Sequence, residues 1–455
     1  MSDSLKTLGA GDFVMEVKIK DKPVSKAKIV NVLYVEGIAN TSPEAAITIV
    51  DTSTENMLAK LPIRNGEKVF LKISTADEEV METELAVYNI KGLGTAKHDA
   101  KSYILQCMSV DSMMNLMTRV EKFYKKLPPA EIVENILKEH LKTKEEIGDI
   151  KKGIEALPLT MAAMRDRPFD FITKRICRKS IPAEGPKGAE TGTAGYTFWK
   201  TSVGYHFKSL DELMGAPSKG GETAPTKSGI KGESNVDTYM FNVPAAVSDN
   251  SQETERHIVQ SLKILNSNNI ERQLYQGTKS NLVGFFDISS LRYAEEIYYM
   301  SGKNFKAMGH LADSDGSNQD LKELVGEDEW KSKPTRIMTR IFNNEMYENK
   351  DKKAKESEYD KIKQSLAQQI VRAELLGNQR LEINIPGNAK LHAGQKIILQ
   401  VYKSVSNTES KEEDRIDKQQ SGYYLISKVL HSCEQAVMTT SLVLIRDQNN
   451  EVTDD

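Results

Sequence analysis

The chain has 455 residues, with 39% hydrophobic and 28% charged side chains. At about 100–200 residues per domain, that length points to two to four domains, and the apolar share excludes wholesale disorder. Sixty-two Lys and Arg against 65 Asp and Glu leave a formal net charge of -3, which argues against a dedicated nucleic-acid binder and against a polybasic membrane-surface protein.

Residues 13–110 read as consecutive strands. Phe13, Met15, Val17 and Ile19 alternate with Val14, Glu16, Lys18 and Lys20, the period-2 pattern of a strand with one wet face. Ile29–Glu36 is rich in Val and Ile on both faces, which suits a strand covered on both sides. Ile47–Val50, Val69–Ser74, Thr83–Ile90 and Tyr103–Val110 follow, separated by turn-like stretches such as ANTSPE and IRNGE. The connections are too short for crossover helices, so an antiparallel sheet curled into a sandwich or barrel is expected.

The pattern then changes. Pro128-Pro129 before AEIVENILKEHLK predicts an amphipathic helix over 129–142, with Ile132, Ile136 and His140 on one stripe. A second helix is expected over 168–180, with Asp166 placed to cap it, Pro168 in its first turn and Phe169, Ile172 and Ile176 on its apolar stripe. Residues 181–194 read as a Gly/Pro/Ala loop, and strand-like sequence returns in GYTFWKTSVGYHFKSL. Residues 213–236 have no apolar period and read as an exposed loop without core residues. Ile258, Leu262 and Leu265 predict a helix over 252–266, while 346–363 reads as a solvated loop or helix face. Strands are expected again at Arg380–Ile385, Gln395–Lys403, Gly422–Ser432 and Ala436–Arg446, with turns at Pro386-Gly387-Asn388 and His392-Ala393-Gly394.

A search for chemistry finds no signature. No window reaches the roughly 18 apolar residues of a membrane span, and the N-terminus lacks the basic start and apolar region of a signal peptide. Cys107, Cys177 and Cys433 match neither a disulfide framework nor a zinc spacing, and Cys107 reads as a packed thiol, so a soluble protein of a reducing compartment is expected. No two of the seven His stand at metal-ligand spacing, and there is no P-loop or G-x-S-x-G elbow. Gly92-Leu93-Gly94-Thr95 does not complete a dinucleotide fingerprint, and the run DSDGSNQD at 313–320 puts Gly316 and Leu324 where a calcium loop needs other residues. A chain this long without a site signature favours a structural or assembly protein.

Several pieces in order, PAEIVENILKEHL, RDRPFDFITKRICRKS, TAGYTFWKTSVGYHFKSLDEL, LEINIPGNAKLHAGQKIIL and SGYYLISKVLHSCEQAVMTTSLVLIRD, follow the opening strands. This set resembles the central baseplate hub protein of contractile-tailed bacteriophages of the T4 type, and the related hub module of type VI secretion spike proteins. The residues that carry it are Pro168, Phe169 and Phe171; Gly195, Tyr196 and Phe198; and Gly204, Tyr205, His206 and Phe207. Near the C-terminus they are Pro386, Gly387 and Gly394, then Gly422, Tyr424, Ile426 and His431. The resemblance runs from about residue 10 to 447, and the segments 213–236 and 305–365 match nothing in it.

The resemblance implies an α+β, β-rich fold with two tail-tube-like antiparallel β-barrel domains and smaller mixed α/β domains. On that basis 10–112 is expected to be the first barrel and 113–195 a mixed domain. The second barrel is expected from 196–248 together with 370–447, with 249–369 an inserted mixed domain. It further implies a homotrimeric ring that adapts a six-fold tail tube to a three-fold central spike and leaves a channel for DNA in transit. Its partners would be the tail tube or tube-initiator protein, the spike and neighbouring baseplate proteins, with no stable membrane association. The place would be the virion tail baseplate after assembly in the host cytoplasm, without catalysis, metal or cofactor. The alternatives are the hub of a type VI or related contractile injection system and, behind it, a cell-wall-degrading enzyme. The absence of a valine- and glycine-rich stretch before Asp455 favours the phage form.

Overall fold

The computed structural model describes residues 9–52, 63–76, 79–97, 100–185, 192–215, 236–244, 252–267, 269–278, 280–299, 308–311, 333–347, 355–403 and 415–447. The first strands are β1 (Val14–Ile19), β2 (Lys22–Pro23), β3 (Ile29–Gly37), β4 (Glu44–Thr52), β5 (Lys68–Ser74), β6 (Val80–Lys97) and β7 (Ala100–Ser109). The middle carries β8 (Val120–Leu127), β9 (Leu159–Asp166), β10 (Tyr196–Thr201), β11 (Gly204–Ser209), β12 (Thr238–Phe241) and β13 (Ser261–Ser267). After these come β14 (Ser280–Asp287), β15 (Arg292–Tyr299) and β16 (Arg336–Phe342). The last four are β17 (Gln379–Pro386), β18 (Lys396–Val401), β19 (Gly422–Glu434) and β20 (Val437–Arg446). The protein is α+β and β-rich, as its sequence implies.

One sheet runs through both ends of the chain, in the order β13-β17-β20-β19-β3-β4-β7-β6-β5-β1-β2, with β18 joined to β19 and β12 to β18. Every pairing in it is antiparallel except β12 with β18. The sheet curls round two separate apolar cores. The first is lined by alternating residues of β1 to β7, such as Val17, Ile19, Val32, Ile47, Leu71 and Leu105. The second is lined by residues of β12 and β17 to β20, such as Tyr239, Ile383, Leu399, Ile426 and Leu442. The second round closes where Met240 of β12 bridges Ile258, just ahead of β13. The first closes through the tip of the β19/β20 hairpin. Lys428–Glu434 pair with β3 on one side, and Val437 bridges Asp12, just before β1, on the other. Cys433 and Met438 at that tip, with Ala389, complete the first core.

A third core lies between the elements of the middle. Here β8/β9, β10/β11 and the three-stranded sheet β15-β14-β16 surround three helices. Pro129 opens the first, Pro129–Asn135, in the turn where a missing N–H costs nothing, and the helix widens into a π-helical stretch, Ile136–Leu141. The second begins at Pro168–Asp170 and continues through Phe171–Ile176 to Cys177–Lys179. The third, Lys355–Leu375, presents Ile362, Leu366, Ile370 and Val371 to this core.

Several expectations need correction. Asp166 ends β9 and pairs with Arg175 at 3.2 Å instead of capping; Asn115 Oδ1 accepts the Phe169 N–H at 2.8 Å. The helix expected over 252–266 stops at His257, and Ser261–Ser267 instead pairs with β17, because an open sheet edge outweighs a three-residue apolar period. The sequence reading puts 196–248 in the second barrel. β12 does join that sheet, but β10 and β11 pair only with each other, because one face of their hairpin is aromatic and buries in the middle core. Residues 213 and 214 do carry core side chains: Leu213 and Met214 are buried beside Trp199. The helix Val110–Met117 and the strands β8, β9 and β14 to β16 were not foreseen at all. The run 313–320 and most of 213–236 lie outside the described residues.

Candidate functional site

The two faces of the β10/β11 hairpin do different work. Tyr196, Phe198, Tyr205 and Phe207 share one face. Tyr196 stacks on Phe207 with centroids 4.7 Å apart, and Phe198 stacks on Tyr205 at 5.4 Å. Phe169 leans on both Phe198 and Tyr205, while Phe171 stacks on Tyr124 at 6.1 Å. Lys200 emerges beside Tyr205, fully buried, with its Nζ 2.9 Å from Glu145 Oε1 and 3.6 Å from Asp111 Oδ2. Asp111 also accepts the Tyr205 hydroxyl at 2.8 Å and the Thr143 hydroxyl at 2.6 Å, so this cation and its carboxylates are met from three stretches of chain.

The opposite face carries Trp199, Thr201 and His206 and meets both β cores. Trp199 Nε1 donates to the Ala393 carbonyl at 3.0 Å, and its ring packs with Ile38 of the first half and Leu425 and Ile445 of the second. Gly394 must be glycine here. Its φ is +94°, and a Cβ would stand 2.4 Å from the Trp199 ring. Gly204 at the hairpin turn is fixed similarly, with φ +130° and the Glu146 carbonyl 2.4 Å from where a Cβ would lie. His206 stacks between Trp199 and His392, at 4.9 Å and 5.9 Å. Its Nδ1 lies 2.6 Å from Asp149 Oδ2, and that hydrogen bond first, with Lys208 nearby, holds the Asp149 carboxyl down at about 2. Burial pushes His392 down to about 4. These groups line an open cleft of about 430 Å³.

Glu36 ties this joint together. On β3 it follows Val32 and Tyr34 on the buried face, so the strand period drives a carboxylate into the interior. Its Oε2 accepts the Tyr34 hydroxyl at 2.8 Å and the Ser202 N–H at 3.0 Å, and its Oε1 accepts the Ala393 N–H at 2.8 Å. One side chain thus links the first core, the hairpin and the loop that feeds β18. Burial outweighs the three donors and raises the carboxyl to about 7. Next to it Tyr34 stacks on His431 of β19 at 6.0 Å, and burial takes that imidazole down to about 4. A second buried ionic joint fixes the helix Lys355–Leu375. Arg372 Nη1 lies 3.4 Å from Asp447 Oδ2, just past β20, and His310 pairs with the same carboxylate.

The chemistry available here is that of a fastener. Asp149, His206 and Thr201 form a relay, with His206 Nε2 2.9 Å from Thr201 Oγ1. The Thr201 hydroxyl is buried and accepts the Val203 N–H at 3.3 Å, so it faces no substrate. Among the described residues no group of His, Cys, Asp and Glu is placed to hold a metal ion, and no helix is long and apolar enough to cross a membrane.

The residues singled out in the sequence therefore fall in three places. Pro168, Phe169, Phe171, Tyr196, Phe198, Tyr205 and Phe207 build the middle core, with Gly195 at the entry to β10. Gly204, His206, Gly394 and His431 lie in the joint. Pro386 and Gly387 meet the hairpin tip, where Gly387 N–H donates to the Met438 carbonyl at 2.9 Å. Tyr424 and Ile426 line the second core, and Gly422 opens β19 at its far end. Glu36, Trp199, Arg372 and Asp447 were missed. Trp199 could have been found, since it stands inside the motif and the chain has only two Trp. Glu36 announces itself as an acid on the inward parity of an apolar strand.

No family model matches the chain, and no curated protein matches it. Solved structures do. The tail protein from Neisseria meningitidis MC58 superposes with a TM-score of 0.54 at 9% identity, covering 96% of this chain and 97% of its own. The 43 kDa tail protein of prophage MuSo2 from Shewanella oneidensis gives 0.50 at 10% identity, covering 96% and 98%. An E. coli component of the type VI secretion system, itself similar to T4 bacteriophage tail proteins, aligns over 96% of this chain and 79% of its own at 10% identity. Its TM-score of 0.40 is too low to argue a shared fold. The chain has the fold of these phage tail proteins over nearly its whole length, and the resemblance drawn from its motifs holds at the level of fold.

Proposed function

We propose that this protein is the structural hub of a phage tail baseplate. The observation that carries the reading is the single sheet wound into two rounds, each about its own core and joined by the β19–β3 ladder. Three copies of a chain with two such rounds supply six similar units. A ring of that kind matches a six-fold tube on one side and a three-fold spike on the other. The tail proteins that share the fold support a tail component over a soluble enzyme. The buried ionic joints suit the role: they hold the two rounds and the middle core at fixed angles, as a load-bearing adaptor requires. A near-balanced total charge suits a channel through which DNA must pass without sticking. The spike, the tube and neighbouring baseplate proteins are the partners of this reading, and the virion tail is its place.

The test is the mass and shape of the purified chain. Three copies of 50.9 kDa make 152.7 kDa, and light scattering should return that value. Negative-stain images should show a ring with a central hole. A stable single chain, or a compact particle without a hole, would remove the adaptor reading.

A further inference from the structure

Two sheet faces in the middle of the molecule are apolar and uncovered. The first is the outer face of β15-β14-β16. Register puts Ile297, Leu282 and Ile337 in one row and Tyr293, Phe286 and Ile341 in another. Ile337 is 74% exposed and Ile341 71%, and the turn after β14 adds Ile288 and Leu291. The exposed members together leave roughly 700 Å² uncovered, at about 200 Å² per large side chain. That is close to the ~800 Å² one partner contributes to a standard interface. The second is the outer face of β8/β9, where Phe123 is 61% and Met164 73% exposed beside an open groove of about 420 Å³. Leu116 and Met117, on the helix that leads into β8, are exposed as well.

Both sheets turn their other face to the same core: Tyr124 and Met161 from β8/β9, Val283, Phe285 and Phe342 from β14 and β16. Their outer faces therefore look away from that core on separate flanks, the arrangement a head-to-tail ring needs. Their charges differ in sign. Arg119, Lys122, Lys125, Lys126 and Arg165 accompany Phe123 and Met164 against Glu121, whereas Glu295 and Glu296 stand on β15 with Arg292.

We propose that these two faces are the halves of one contact between copies of this chain: the β15-β14-β16 face of one protomer seats on the β8/β9 face of the next. This rests on the trimeric reading above and names the surfaces that close the ring. The occupant is a second copy because each face supplies what the other lacks, an apolar sheet with acidic residues against an apolar groove with basic ones. Contact with a different baseplate protein is the competing outcome.

The test uses full-length protein in three forms: the parent, Ile337→Glu/Ile341→Glu and Phe123→Glu/Met164→Glu. All four positions are exposed, so each variant should keep the parent's circular dichroism and melting profile. Where one does not, the serine double variant at the same positions replaces it. Light scattering of the parent should give 152.7 kDa, and each double variant alone a single chain of 50.9 kDa. An equimolar mixture should recover a pair of twice 50.9 kDa, 101.8 kDa, because one intact face of each kind remains. A trimeric parent with trimeric variants overturns this contact and leaves the hub reading standing. Monomeric variants whose mixture stays monomeric overturn the head-to-tail pairing. A monomeric parent overturns the hub reading itself, and this contact with it.

Discussion

The two β cores are built by the same sheet in opposite ways. The first draws nearly all its strands from one run, Val14 to Ser109. The second gathers β12, β13 and β17 to β20 from stretches spread between Thr238 and Arg446. A contiguous run would be expected to be the self-sufficient one, yet the dispersed core closes with its own bridge while the contiguous core is closed by a hairpin tip from the far end of the chain. Sequence continuity is thus a poor guide to autonomy. A strand order left open by one position is completed by whichever segment the tertiary fold delivers there, and unpaired edges make that completion favourable.

The largest test of this contrast compares Met438→Ala with Leu444→Ala. Both residues are buried on β20, but Met438 belongs to the first core and Leu444 to the second. Each truncation should cost roughly 2–5 kcal/mol in denaturant unfolding. They should differ in where protection is lost. Hydrogen exchange should rise in β1 to β7 for Met438→Ala and in β12, β13, β17 and β18 for Leu444→Ala. Identical patterns would mean that the two rounds unfold as one and the distinction has no energetic content.

Glu36 tests the seam between them. Its folded value of about 7 lies above the 4.5 of an ordinary glutamate. The folded state therefore holds the proton more tightly, and this contribution is fully present below 4.5 and is lost as pH rises through about 7. At 1.36 kcal/mol per unit the swing is about 3 kcal/mol. Glu36→Gln removes it, so the stability of the variant relative to the parent should improve by about that amount between pH 4.5 and 8. His431 works the other way. Its imidazole, held at about 4, costs stability as pH falls from 6.5. With Glu36 gone, acid lability should be steeper. A parent and variant with parallel stability profiles would show that the three donors, not burial, set the state of the carboxyl.

What the sequence discloses divides along physical lines. Strands with one wet face, such as β1 and β5, are legible because alternation is a local property. The aromatic motif around Phe169, Phe198 and Tyr205 is legible as a cluster, since residues that recur together must meet. Its destination was not, because nothing in β10 or β11 states which of two faces meets the middle core and which meets the sheet. β13 was read as helix because Ile258, Leu262 and Leu265 mimic a helical stripe, and only the β17 edge overrides it. The joint was the least legible part. Glu36, Ser202 and Ala393 lie 166 and 357 residues apart, and no spacing rule relates them. β14 and β16 hid because Ile337, Thr339 and Ile341 on an uncovered face break the expected polar alternation.

The finest test concerns one contact at the hairpin tip. A Cβ on Gly387 would lie 2.6 Å from both Cβ and Cγ of Met438 and 3.0 Å from its carbonyl oxygen. Gly387→Ala should therefore overpack the point where the two rounds touch, at a cost of roughly 1–3 kcal/mol. Cutting Met438 back to alanine removes the Cγ but keeps the Cβ and the carbonyl, so the strain should be relieved in part. The double variant Gly387→Ala/Met438→Ala should then be less damaged than the two single losses combined, with a coupling of roughly 0.5–1.5 kcal/mol in denaturant unfolding. Strict additivity would place Gly387 outside the contact that closes the first core. Its glycine would then answer to the turn after β17 alone.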